Sequence, residues 1–164
     1  MIKINKLITT FFLIIFTSSC VGYEPIFKTS NLKFVINEYE IKGDKKIGKE
    51  VFYKLKRLSD SNKNDLDSKT ISLIIETIKT KNPTIKNSAG KILEYKIDLS
   101  TKILLKDYLT NDVILNHNFN LSASYKVQDQ FSETVKLENK VIQNLTNKTY
   151  EDLLVKMSEN IVTK

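Results

Sequence analysis

Three features of the chain combine residue types and spacing in ways that could do chemistry: a lone thiol at Cys20, a lone imidazole at His117, and the basic loop Gly43-Asp44-Lys45-Lys46-Ile47-Gly48-Lys49. Cys20 comes after Lys3 and Lys6, an apolar run from Leu7 to Phe16, and the small residues Thr17-Ser18-Ser19. That is the charged, apolar, small-residue order of a secretory signal. A ten-residue helix rises only about 15 Å, roughly half of a hydrocarbon core, so residues 1–19 read as a removed signal peptide and not as a membrane span. A thiol at the cleavage point looks like a lipobox, with Thr17 where leucine is usual. Cys20 then becomes an acylated N-terminus and a lipid anchor, each buried CH₂ of its chains contributing about 0.8 kcal/mol to membrane binding; the bland alternative is an ordinary signal with an incidental cysteine.

The other two features carry less. The glycine loop has the spacing of a phosphate-cradling P-loop, but Glu50 stands where a Ser or Thr would ligate Mg²⁺, and its carboxylate would repel nucleotide phosphates. His117 falls on the apolar face of a predicted strand, which reads as a buried, hydrogen-bonded imidazole and not as a catalytic base. One cysteine and one histidine supply neither the four ligands of a structural zinc site nor a disulfide pair, so no metal and no cofactor is expected. No Gly-x-Ser-x-Gly elbow or paired acidic motif appears, and the expectation is a protein that is not an enzyme.

The formal charge is +7, from 26 basic and 19 acidic residues; without Lys3 and Lys6 it is +5. Seven lysines against Glu94 and Asp98 place that excess in residues 79–106. Arg57 is the only arginine, and a chain that short of bidentate base and phosphate readers is a poor nucleic-acid binder. Lys79, Lys81, Lys86 and Lys91, flanking Pro83 and Gly90, are the candidate anion-facing group, with lipopolysaccharide phosphates as the ligand class. The bland alternative is a solvated edge.

These residues must be positioned by a chain of 164 residues, one domain's length, with 41% hydrophobic content for one core. Residues 20–31 read as a lipidated tether and 32–164 as the folded domain. Leu32 to Ile41 alternates as a strand. Ile47, Val51, Leu55 and Leu58 predict an amphipathic helix. Lys69 to Lys81 predicts a central strand ending at Asn82-Pro83. From Leu93 to Leu105, and again from Val113 to Val127, strict alternation predicts two long strands joined by a hairpin turn at residues 107–112. The second presents Asn116, Asn118, Asn120, Ser122 and Ser124 on one face. After Phe131 the period becomes 3.6, predicting a long C-terminal helix with a kink near Thr146 to Thr149. The fold expected is an α/β (α+β) two-layer sandwich of order β-α-β-β-β-α, a four-stranded sheet with two helices on one face and the other face open.

The run Cys20-Val21-Gly22-Tyr23-Glu24-Pro25-Ile26-Phe27, followed by a strand, a Gly48-led helix, three strands the last of which carries Ser124-Tyr125, and a C-terminal amphipathic helix, resembles lipopolysaccharide-assembly lipoproteins of the LptE type, particularly those of alphaproteobacteria. Lys45, Lys46 and Lys49 stand where that family often carries arginine. The resemblance implies a non-enzymatic lipoprotein on the periplasmic face of the outer membrane, plugging the LptD β-barrel and assisting lipopolysaccharide assembly at the cell surface. The asparagine and serine row of residues 116–124 is suited to a polar barrel lumen. The alternative is a periplasmic lipid-binding or envelope-maintenance lipoprotein that acts without a barrel partner.

Overall fold

The structure, a computed structural model, describes residues 32–161. The signal peptide, Cys20 and the tether lie outside the described residues. The elements run β1 (Phe34–Gly43), α1 (Lys45–Ser61), β2 (Lys69–Lys86), β3 (Ile92–Asp107), β4 (Val113–Lys126) and α2 (Phe131–Ile161). The sheet order is β1-β2-β3-β4; β1 runs parallel to β2, and the other neighbours are antiparallel.

The alternation fixes which face is buried. Ile71, Leu73, Ile75 and Thr77 of β2 stand beside Leu105, Ile103 and Thr101 of β3 and, across from these, Leu115 and Phe119 of β4, all on one side. Both helices pack on that side, α1 over β1 and β2, α2 over β3 and β4. Phe34, Val51, Leu55, Leu153 and Met157 complete the main cluster, and a second gathers Ile47, Ile97, Leu99, Tyr125 and Leu145. The four-stranded, two-layer expectation therefore holds.

Local chemistry explains the helix entries. Asp44 caps α1, its carboxylate accepting from Lys46 N at 3.1 Å and Ile47 N at 3.2 Å. Gly43 precedes it with φ of +74°, and a Cβ there would sit 2.0 Å from the Thr77 carbonyl oxygen, so only glycine admits the turn. At the other end of α1, the buried Ser59 Oγ accepts from Ile36 N at 2.9 Å, next to the β1 bulge between Ile36 and Glu38.

One expectation changes. β2 does not end at Asn82-Pro83 but runs to Lys86, because β1 pairs with it only as far as Thr77. Beyond that point one edge of β2 is free, and a proline with no N–H to donate is tolerated on a free edge; the register with β3 shifts only after Pro83. The C-terminal helix is one uninterrupted element of 31 residues. At Thr146 and Thr149, where the kink is expected, the hydroxyls turn onto the Ile142 and Leu145 carbonyls at 2.8 and 2.9 Å, an arrangement that often bends a helix without breaking it.

Candidate functional site

The open face of the sheet is one candidate surface. Asn116, Asn118, Asn120, Ser122 and Ser124 are all exposed and stand in one row along β4, the outermost strand. Their cross-strand partners on β3 are Leu104, Lys102, Ser100, Asp98 and Lys96. Ser100 Oγ donates to Asn118 Oδ1 at 3.0 Å, and Lys96 pairs with Asp98 at 2.9 Å. That lysine holds the Asp98 carboxyl below its ordinary pKa against the opposing effect of its modest desolvation. The uncharged row is thus confined to residues 116–124 of β4, and its β3 neighbours carry charge. Further in, Ile74 and Leu104 are neighbours and Ile78 is 56% exposed, so an apolar strip runs beside the polar row. A hollow of about 240 Å³ lies between Ile78, Thr80, Asp98, Ser100, Asn120 and Ser122. No element among the described residues covers this face.

The four lysines are divided between two settings. Lys79 and Lys81 continue the odd-numbered, helix-facing phase of β2 past Thr77. Lys79 Nζ lies 3.5 Å from Asp44 Oδ2, and Lys81 Nζ lies 2.6 Å from Glu138 Oε2 on α2. Tyr125 donates its hydroxyl to the same Glu138 oxygen at 2.8 Å, and Lys81 Nζ stands 4.3 Å from the centre of the Tyr95 ring. Desolvation alone would lower the Lys81 pKa and raise that of Glu138; their hydrogen bond and mutual attraction outweigh it, leaving Lys81 raised and Glu138 lowered. Lys86 and Lys91 instead flank the β2–β3 turn, both exposed. Asn87 shapes that turn by accepting from Ala89 N and Lys91 N, with Gly90 at φ +80°.

The cluster of Lys81, Glu138, Tyr125 and Tyr95 went unrecognised in the sequence because its members are far apart in the chain. The signal that could have found it is phase: Lys79 and Lys81 fall in step with Ile71, Leu73 and Ile75, which marks them as facing the helices. Beside the cluster a cleft of about 400 Å³ opens between the sheet and the start of α2. Ile92, Tyr95, Val127, Phe131 and Val135 give it apolar walls, with Lys81, Lys91 and Glu138 at its margin.

The remaining candidates are structural. The Lys46 and Ile47 N–H groups that a phosphate would need at the glycine loop already donate to Asp44. Gly48 is buried, and a Cβ there would lie 2.6 Å from Ile41 Cγ2, so its role is the close approach of α1 to the sheet. His117 lies on the helix-facing side as expected but is only half-buried, its ring edge-on to Phe119 at 4.6 Å. Among the described residues no group of three His, Cys, Asp or Glu side chains could hold a metal, and no helix is long and apolar enough to cross a membrane.

No model of a known protein family matches the chain, and no curated protein matches it. Its fold is shared with solved bacterial lipoproteins. Rare lipoprotein B of Shewanella oneidensis superposes with a TM-score of 0.54 at 12% identity, over 77% of this chain and 97% of that one. For lipoprotein B of Nitrosomonas europaea the TM-score is 0.57 at 14% identity, over 87% and 93%. A minor lipoprotein of Acinetobacter baumannii gives 0.51 at 14%, over 79% and 94%. At these identities the likeness is one of fold, and it extends over nearly the whole of each relative.

Proposed function

We propose that the chain is a non-enzymatic lipoprotein of the outer membrane, anchored on its periplasmic face through acylated Cys20, that plugs a β-barrel of the LptD type and assists lipopolysaccharide assembly. The observation that carries this reading is the open sheet face. Strands of 14 to 18 residues present a long surface of asparagine, serine and paired charges, interrupted by Ile78 and Leu104 and covered by nothing among the described residues. Such a surface matches the polar interior of a large barrel better than an oily partner. The lipobox-like Cys20 and the fold held in common with solved lipoproteins support the same reading. Lipopolysaccharide phosphates would be met at Lys86 and Lys91, since Lys79 and Lys81 are paired with Asp44 and Glu138.

The cleft at the start of α2 favours a second reading, a periplasmic lipid-binding or envelope-maintenance lipoprotein without a barrel, because its apolar walls suit an acyl chain and Lys91 stands at its margin. A photocrosslinking residue at Asn118 or Ser122 separates the two. The first reading expects a crosslink to a large, heat-modifiable β-barrel from these positions and none from Glu151 on the outer side of α2. Crosslinks that never include a barrel, with the protein migrating alone in mild detergent, would leave the second reading standing.

A further inference from the structure

One end of the domain holds apolar side chains out into solvent where the chain enters the fold. Leu66, in the loop between α1 and β2, is 102% exposed, and Leu109, in the turn between β3 and β4, is 84% exposed. Their loops are laced together. Tyr108 N donates to Thr70 O at 3.0 Å, Lys69 N donates to Lys33 O at 3.1 Å, and Asn62 Nδ2 donates to Leu32 O at 2.7 Å. Each leucine is propped by an aspartate turn. Asp65 Oδ1 accepts from Asp67 N at 3.0 Å around Leu66, and Asp107 Oδ1 accepts from Leu109 N at 2.9 Å and Thr110 N at 3.0 Å. Lys33 fixes the first of these through Asp65 at 2.9 Å. Half-exposed Val113 and the Tyr108 ring, 40% exposed, stand beside the second. Hydrogen-bonded turns at the entry end thus hold two leucines out where an apolar medium outside the protein could receive them.

From these contacts we infer that Leu66, Tyr108 and Leu109 form a membrane-docking end, dipping into the headgroup region of the leaflet that holds the anchor. The inference rests on the anchor reading of Cys20. Two observations favour this occupant over others. Cys20 lies twelve residues before Leu32, a stretch that can span at most roughly 40 Å, so an anchored chain keeps this end of the domain within that reach of the bilayer and makes it the end nearest the anchor. The charges also point to a zwitterionic surface. Residues 60–69 and 106–112 with Lys33 carry four lysines and five aspartates, so no net positive charge draws the end to anionic lipid, and attachment falls to the apolar side chains and the tyrosine ring.

The chain contains no tryptophan, so a single Leu109→Trp or Leu66→Trp substitution in the full acylated lipoprotein places one indole reporter at the docking end. The protein is reconstituted on vesicles of phosphatidylethanolamine and phosphatidylcholine with acyl-chain-brominated phosphatidylcholine. Both variants are expected to lose at least half of their emission to bromine and to shift to the blue. Ile85→Trp, 48% exposed in the native chain and near the opposite end of β2, is expected to be unaffected. Replacing a third of the lipid with phosphatidylglycerol should leave the quenching the same or weaker; stronger quenching would overturn the zwitterionic assignment. Vesicle-bound protein whose Leu109→Trp and Leu66→Trp emissions resemble that of Ile85→Trp overturns the docking end and leaves the anchor intact. Protein that fails to associate with vesicles overturns both.

Discussion

Lys81 is the residue on which the structural and lipid-contacting roles of the lysines diverge, and a double-mutant cycle of Lys81→Met with Glu138→Gln decides its role. The ammonium is 2.6 Å from Glu138 Oε2, with side-chain exposures of 36% and 24%, and it also stands over the Tyr95 ring. A fully exposed pair is worth about 0.2–1 kcal/mol, whereas two charges 4 Å apart at an effective dielectric of 20 attract by about 4 kcal/mol. With a third of the lysine in water, a coupling of about 1–1.5 kcal/mol is expected between the two sites, and the lost cation–π contact adds about 0.5 kcal/mol to the Lys81→Met single variant. Urea unfolding followed by circular dichroism measures it, with unchanged m-values showing that the unfolding transition is the same. The pH dependence carries a sign. Glu138 has its folded pKa lowered, so the pair contributes above the ordinary glutamate value of 4.5 and fades as pH falls through the depressed one. Lys81 has its folded pKa raised, so the contribution is complete below 10.5 and is lost as pH rises through the raised value. The difference between wild type and Lys81→Met should therefore be flat from about pH 6 to 9 and shrink at both extremes. A coupling below about 0.3 kcal/mol, or a difference that vanishes at neutral pH, would refute the structural role.

Cys20→Ala should move the protein from the membrane to the soluble fraction, and mass spectrometry of the native chain should show an acylated residue 20 at its N-terminus. Thr77 and Thr101 are cross-strand neighbours whose buried hydroxyls find no partner among the described residues, so Thr101→Val should stabilise the domain by about 1 kcal/mol, read as a rise in melting temperature of about 3–6 °C. Reversing Lys86 and Lys91 to Glu should leave stability within about 0.5 kcal/mol of wild type yet weaken lipopolysaccharide binding, more at low than at moderate salt. Equal binding at both salts would remove the anion-facing role and leave the barrel reading untouched.

The parts of the fold that were legible were those where one periodicity held without competition. The odd positions of β3 and β4 alternate over long runs, and the buried set Ile97, Leu99, Thr101, Ile103 and Leu105 follows them directly. Asp44 and Gly43 mark the start of α1 by their chemistry alone. What was not legible depended on neighbours. Pro83 reads as a terminator until β1 is known to stop at Thr77. The same holds for the candidate sites. The row from Asn116 to Ser124 is a property of one strand and could be read off; the pairing of Lys81 with Glu138 crosses from the sheet to a helix, and only its phase along β2 hinted at it.

The two ends of β2 constrain where an anion could be met. Its 18 residues, at about 3.3 Å each, separate Lys69, beside the entry of the chain, from Lys86 at the hairpin by roughly 55 Å once twist and the register shifts are allowed for. The stretch from Cys20 to Leu32 reaches at most roughly 40 Å, even if laid straight back along the domain. An acylated Cys20 and the lysine-bearing turn therefore cannot come within about 15 Å of each other by tether geometry alone. An anionic headgroup bound at Lys86 and Lys91 is then not one lying beside the anchor in the same leaflet. With the entry end docked and the domain standing away from the bilayer, it is either carried on another molecule in the periplasm or presented within a structure that the domain itself enters. The barrel reading supplies the second arrangement, and the reading without a barrel requires the first. Lipopolysaccharide bound to the purified lipoprotein at the lysine turn, in the absence of any barrel, would favour the first; binding there that appears only in the assembled complex would favour the second.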